Sequence, residues 1–396
     1  MLRDSNTPNV GLLAACQALA NCCNVLMVAI AALVGQNLAP DPSLATLPFA
    51  LQFVGIMATT VPASLVMSRF GRRYGFSQGA VIGIAAGVIC SLAVFDRSFM
   101  LYCFGSLIYG VFAAHASYYR FAAADAAKPE GKAQAISLVL AGGIVAAIAG
   151  PQLATWSRDL LAPVFFAGSF LVVSALSFLV LLVVQFIRIP NVKPEAVSKG
   201  GRSLSEIARQ PAFIVAVLAG MIGYGSMNLI MLATPLAMLA CNHSFSDSNF
   251  VISWHVLSMF APSFFTGSLV RRFGVEPILL TGGLLILACV AINLSGVEIL
   301  QFWSALVMLG LGWNFLYVGG SILLTSTHRP EEQAKVQALN EFLTFSVVAV
   351  TALGSGALLH YFGWDALNLG VLVPVLLVIT SVLWFWRRKE VAIPQH

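Results

Sequence analysis

Apolar runs of roughly 20 residues follow one another along the whole chain, and this limits its fold more than any other feature. Each run has the length that crosses the hydrocarbon of a bilayer as a helix. Backbone groups in lipid must be satisfied within the segment, so such runs form helices. Hydrophobic residues make up 59% of the 396 and charged residues only 9%, far below the roughly one quarter usual in soluble domains. Such a chain cannot wrap a soluble core. The length allows about a dozen crossings. The expected helices cover 11–38, 46–68, 76–95, 99–124, 133–157, 162–188, 211–241, 247–270, 277–296, 299–326, 335–360 and 364–386. The polar start, Met1 to Asn9, lacks the features of a cleaved leader, so the first apolar run is expected to stay as the first membrane helix.

Orientation follows from the loops. With both termini inside a bacterial cytoplasmic membrane, the inner loops carry Arg69, Arg72 and Arg73; Lys128 and Lys132; Arg188 through Arg209; Arg271 and Arg272; Arg329 and Lys335; and Arg387, Arg388 and Lys389. Only Arg97 and Arg158 of the 21 basic residues fall outside, as the positive-inside bias requires. The net charge of +5 therefore reports topology and a lipid bilayer partner, not nucleic acid. The seven cysteines show no zinc or redox spacing and sit mostly in apolar runs.

The longest polar stretch, 190–210, divides the chain into an N-terminal six-helix bundle at 1–189 and a C-terminal one at 211–396. Ser68-Arg69-Phe70-Gly71 recurs about half a chain later as Arg271-Arg272-Phe273-Gly274, and Lys128-Pro129-Glu130 as Arg329-Pro330-Glu331. The two halves are therefore related. Arg69-Phe70-Gly71-Arg72-Arg73 resembles the gating loop between helices two and three of the major facilitator superfamily. The resemblance covers essentially the whole chain. It implies an all-α membrane protein with the major facilitator fold, twelve transmembrane helices in two six-helix bundles, working as a monomer. The family's usual acidic residue is replaced by Ser68, and by Arg271 in the second half, so its latch does not carry over intact. Pairing of Arg72 with Asp125 or Glu341 is one substitute; solvated charges that only set topology are the other reading. Gly142, Gly143 and Gly150-Pro151 permit close helix packing and a kink.

Substrate sites of this fold lie between the halves near mid-membrane. Helix seven carries Met227 and Met231, and helix eight carries His255 and Met259, each pair on one helical face. About a turn centred on His243, Met231 is level with His255 and Met227 with Met259, roughly 18 and 24 Å along the helices. Three thioethers and an imidazole form a soft set suited to Cu(I). Against this, a Met pair at helical spacing is most often core packing. The pair of motifs MxxxM and HxxxM is similar to that of the CcoA-type copper importers. That resemblance implies copper uptake for assembly of a cbb3-type cytochrome oxidase, with the copper ion as cargo and no resident cofactor. Cys241, His243 and Met238 are candidates for metal entry at the outer end of helix seven. Cys16, Cys22 and Cys23 with Asn21 and Asn24 in helix one, His115 and Met221 on a soft path inward, and Trp313, Asn314 and Tyr317 around the cavity are further candidates. Trp384 and Trp386 beside Arg387 and Arg388 read as interfacial anchors.

Two other readings compete with copper import. A proton-coupled carrier of a small organic compound would want a carboxylate deep in the membrane, whereas every Asp and Glu here is expected in a loop or near a helix end. A receptor that binds without transport would need a signalling appendage, and none is evident. No nucleophile, base and orienting acid occur together, so the chain is not expected to be an enzyme.

Overall fold

The computed structural model describes residues 7–126, 135, 138, 139, 142–188, 201–329 and 332–391. The structure is helical throughout these residues. The helices are α1 Thr7–Leu38, α2 Leu47–Phe70, α3 Arg72–Phe95, α4 Phe99–Ala116, α5 Tyr119–Ala126, α6 Gly142–Ser157, α7 Ala167–Val184, the short α8 Leu204–Ala208, α9 Pro211–Ala240, α10 Phe245–Phe260, α11 Ser263–Phe273, α12 Val275–Asn293, α13 Ile299–Thr325 and α14 Gln333–Val391. Among the described residues nine helices are long and apolar enough to cross a membrane, or ten if α10 and α11, bent by 43°, form one span. The twelve expected segments are completed by α6, whose described part has 16 residues, and by the second half of α14, broken at Gly363 (φ 81°, ψ 177°). Lys128, Lys132, Pro129, Glu130, Pro330, Glu331 and all of the 190–200 stretch lie outside the described residues, as do the side chains of Ser68, Asp125 and Lys389.

Four expected helices differ in continuity. The fourth parts into α4 and α5 at Ser117–Tyr118, and nothing in the structure accounts for that break. The eighth parts at Ala261–Pro262, where proline removes a backbone donor and its ring crowds the preceding turn. The eleventh and twelfth approach one another so closely in sequence that Gly363 alone separates them.

The chain forms two compact units, Met1–Pro194 with Met238–Leu257, and Glu195–Ala237 with Ser258–His396. In the first, α4 packs against α2 and α3, α3 against α7, and α1 against α6. Small residues allow this closeness. A Cβ on Gly55 would overlap the Leu107 carbonyl, and one on Gly110 the Gln52 carbonyl. The expected glycine contacts of the fifth span are present too, Gly142 against Ala18 and Gly150 against Val25. In the second unit α12 packs mainly on α13 and α14. The described start of this unit is pinned at Arg202, whose backbone and guanidinium donate to the fully buried Glu332. Lys335 in turn donates to the Arg202 carbonyl.

The repeated loop is visible in the backbone. Gly71 (φ 92°, ψ 157°) ends α2 and opens α3, and Gly274 (φ 89°, ψ 164°) does the same between α11 and α12. This conformation is essentially reserved for glycine, so the same turn is built twice. Helix α10 begins with a capping box: Asp247 accepts from the Ser244 amide at 3.0 Å, and Ser244 Oγ accepts from the Asp247 amide at 3.1 Å.

Candidate functional site

In the second unit aromatic side chains from four helices converge. Trp313 and Tyr317, one turn apart on α13, lie nearly parallel, with centroids 5.1 Å apart and planes 10° apart. Tyr224 of α9 stands edge-on to both, at 5.5 and 5.6 Å, and also meets Phe345 of α14 at 5.9 Å. Phe260, the last residue of α10, closes on Trp313 at 6.1 Å. Trp313 is buried, and its Nε1 has no hydrogen-bond partner. The other four rings are half-buried.

The depth of this wall can be counted. Gln210 donates to the Thr327 carbonyl, so the start of α9 lies beside the end of α13 and the loop leading to α14. From that common level a rise of 1.5 Å per residue puts Tyr317 about 12 Å in, Trp313 and Phe345 about 18 Å, and Tyr224 about 20 Å. Half the hydrocarbon thickness is about 15 Å. The wall therefore lies near the middle of α9 and α13, where a span of this length passes through the hydrocarbon. Glu341, on the Phe345 face of α14 one turn nearer the start, is about 12 Å in and half-buried. This is deeper than the sequence reading placed it.

Asn314 fixes the framework beneath the wall. Fully buried, it donates to the Met259 carbonyl and to Ser263 Oγ, both at 2.7 Å, and its Oδ1 accepts from Thr266 Oγ1 at 2.7 Å. These three partners flank the Ala261–Pro262 break. The break is thus held by α13.

The first unit has a polar node of its own. Asn24 Oδ1 of α1 accepts from Tyr109 Oη of α4 at 3.0 Å and from Gln52 Nε2 of α2 at 3.3 Å. Gln52 Oε1 is buried without a partner. Of the helix-one candidates, Cys16, Cys22 and Cys23 are buried, and Cys23 approaches the Val173 carbonyl at 3.8 Å. Asn21 accepts from Gln17 instead. His115 is buried, with Nδ1 at 2.8 Å from the Val111 carbonyl and Nε2 without a partner.

The proposed soft-metal set consists of core residues. Met227, Met231 and Met259 are buried in the second unit, and His255 is buried in the first. Met238 is fully buried, while Cys241 and His243 are half-exposed, His243 having its amide on the Met238 carbonyl at 3.0 Å. Among the described residues no three His, Cys, Asp or Glu side chains cluster at metal-binding distances. In the loop between α2 and α3 and the turns flanking it, Arg69 and Arg73 are exposed, and Arg72 is half-buried against Met67 Sδ. Arg73 donates to Gln185 Oε1 at 3.0 Å, which ties the start of α3 to the end of α7.

The apolar spans, with a broken helix and a ring wall part-way along them, are those of a multi-pass membrane protein. The family model of the Major Facilitator Superfamily matches residues 12–239 and 216–395, and the chain belongs to that superfamily. It is 44% identical over 386 residues to the riboflavin transporter RfnT of Brucella anthropi, covering 97% of each chain. It is 28% identical over 381 residues to YddS of Bacillus subtilis, an uncharacterized transporter of the same type, covering 92% of this chain and 87% of that one. The crystal structure of the nucleoside transporter NupG shares the fold, with a TM-score of 0.73 at 13% identity, covering 94% of this chain and 99% of that one.

These relatives overturn the copper reading. A near full-length relative at 44% identity is a carrier of an organic vitamin, so the copper ion is not the substrate, and the link to oxidase assembly falls with it. The physical reason for the error lies in methionine itself. Unbranched thioethers fill irregular gaps in apolar cores, and any two antiparallel helices joined by a turn have residues at matched depth.

Proposed function

We propose that this chain carries a small planar heteroaromatic compound, riboflavin or a close analogue, across a bacterial cytoplasmic membrane by alternating access. In this reading both termini are cytoplasmic, a 190–210 linker joins bundles at 1–189 and 211–396, and the unit of function is the monomer. The observation that carries it is the ring wall of Tyr224, Trp313, Tyr317, Phe345 and Phe260 near the middle of α9 and α13. Flat π-systems bind such surfaces by stacking and edge contacts, and the 44% identical riboflavin carrier indicates which ring system. The loop Arg69, Gly71, Arg72 and Arg73 acts in this reading as a hinge between two spans, with Gly71 supplying the turn.

The test is uptake of radiolabelled riboflavin by bacteria that can neither make riboflavin nor import it, expressing this chain. Saturable uptake and growth on low external riboflavin are expected, with cellular copper unchanged. No uptake and no growth, with the protein present in the membrane, would overturn the proposal.

A further inference from the structure

Resting on that reading, we infer that Tyr224, Trp313, Tyr317 and Phe345 bind the ring system of the substrate, and that this half-site accepts the ring only without a phosphate. The first part follows from convergence. Rings on three helices, with Phe260 of a fourth, converge, Trp313 buried among them and Tyr224, Phe260, Tyr317 and Phe345 half-buried. Four of the five rings keep part of their surface uncovered by neighbouring side chains. The buried, partnerless Nε1 of Trp313 is a donor within this wall that a ring nitrogen or carbonyl can satisfy.

The second part follows from where the charges stand. The described basic residues of the second unit are Arg202, Arg209, Arg271, Arg272, Arg329, Lys335, Arg387 and Arg388. All lie in loops, the short α8 or the terminal turns of spans. The polar side chains near the wall, such as Asn314 and Thr266, are neutral and already bonded to one another. The ionisable residue nearest the wall along α14 is Glu341, one turn from Phe345 on the same face. A phosphate dianion at this depth would be stripped of water with no cation among the described residues of this unit to meet it and a carboxylate on the neighbouring turn of α14. Hydroxyl and imide donors on an uncharged ligand suit the same carboxylate.

The experiment measures riboflavin uptake by the full-length chain with competitors in excess: lumichrome, which is the ring alone, ribitol, which is the side chain alone, and riboflavin 5′-phosphate. Inhibition by lumichrome and not by ribitol or the phosphate is expected. Trp313→Ala and Tyr317→Ala should each raise KM on the order of ten-fold, the loss typical of one stacking partner, while Trp313→Phe should lie between Trp313→Ala and wild type. Tyr317 is half-exposed, so its variant remains informative if Trp313→Ala fails to fold. Competition by the phosphate equal to that of unlabelled riboflavin would overturn the charge selection. Wild-type KM in Tyr317→Ala, or inhibition by ribitol without inhibition by lumichrome, would overturn the ring assignment. Either result with normal wild-type uptake leaves the proposed function standing. Absence of wild-type uptake removes that function instead.

Discussion

Replacing Asn314 with leucine tests whether the α13 amide holds the break in the eighth span. The two side chains share heavy-atom number and branching, so although the leucine methyls are bulkier, the main polar change is the loss of three hydrogen bonds, to the Met259 carbonyl, Ser263 Oγ and Thr266 Oγ1. Interhelical hydrogen bonds in membranes contribute about 0.6 kcal/mol on average and about 1.7 kcal/mol at most, so the three together are worth about 2–5 kcal/mol. The two hydroxyls recover part of this. Thr266 Oγ1 already lies 2.8 Å from the Pro262 carbonyl, one turn back, and Ser263 can turn to its own i−4 carbonyl. The net expectation is about 2–3 kcal/mol. At about 2–4 °C per kcal/mol for a unit of this size, the thermal midpoint of the purified protein in detergent should fall by about 4–12 °C. Asn314→Asp, which keeps the acceptor and loses the donor to Met259, should also be destabilised. A midpoint within about 2 °C of wild type for Asn314→Leu would refute the reasoning. The break would then be maintained by Pro262 alone.

Gly71→Ala and Gly274→Ala force an L side chain into a glycine-only conformation, and each should cost about 1–3 kcal/mol, read as a lower thermal midpoint. Met227→Leu, Met231→Leu and Met259→Leu nearly conserve volume and should leave riboflavin uptake within about two-fold of wild type, and copper chelators should not reduce that uptake. Glu332→Gln should lower the midpoint at pH 7 because Arg202 and the Arg329 amide lose a charged acceptor. These donors hold the Glu332 carboxyl far below the ordinary carboxylate range. Its contribution is therefore complete above the unfolded-state pKa of about 4.3 and declines as pH falls toward the folded value. The wild-type advantage over Glu332→Gln should narrow when thermal scans are repeated at about pH 3.5, and a constant gap would count against the clasp.

The architecture was legible because lipid makes it so. A span must be long, apolar and helical, and the loops must carry the cations, so composition and loop charge locate the spans without any knowledge of packing. The repeated turn was legible for a different reason. Gly71 and Gly274 occupy a backbone region that other residues avoid, and so mark the same corner twice. Breaks were harder to read. Pro262 interrupts its span, whereas Pro151 and Pro235 lie inside α6 and α9 without ending them. A proline removes the same backbone donor in each case, and the outcome depends on whether a neighbour can meet the freed groups. At Pro262 that neighbour is Asn314, some fifty residues away, which no local pattern announces.

The proposed substrate site was obscured by the very property that revealed the spans. In a soluble helix the apolar stripe tells which face points inward, but a span that is apolar all round carries almost no such directional signal. Trp313 and Tyr317 stood out as cavity residues by type and spacing. Nothing in the sequence could say that Tyr224, Phe260 and Phe345 turn toward them, since that depends on the rotation of four helices about their axes. The methionines misled for the converse reason. Their spacing fixes a shared face, and the turn between the spans fixes a shared depth, yet neither says whether that face meets a cavity or a packed neighbour. Burial bears on it: Met227, Met231 and Met259 are enclosed, as is Trp313, while Tyr224, Phe260, Tyr317 and Phe345 are half-open. For a chain built this way, the informative chemistry is which side chains remain partly uncovered where the bundle ought to be tightest.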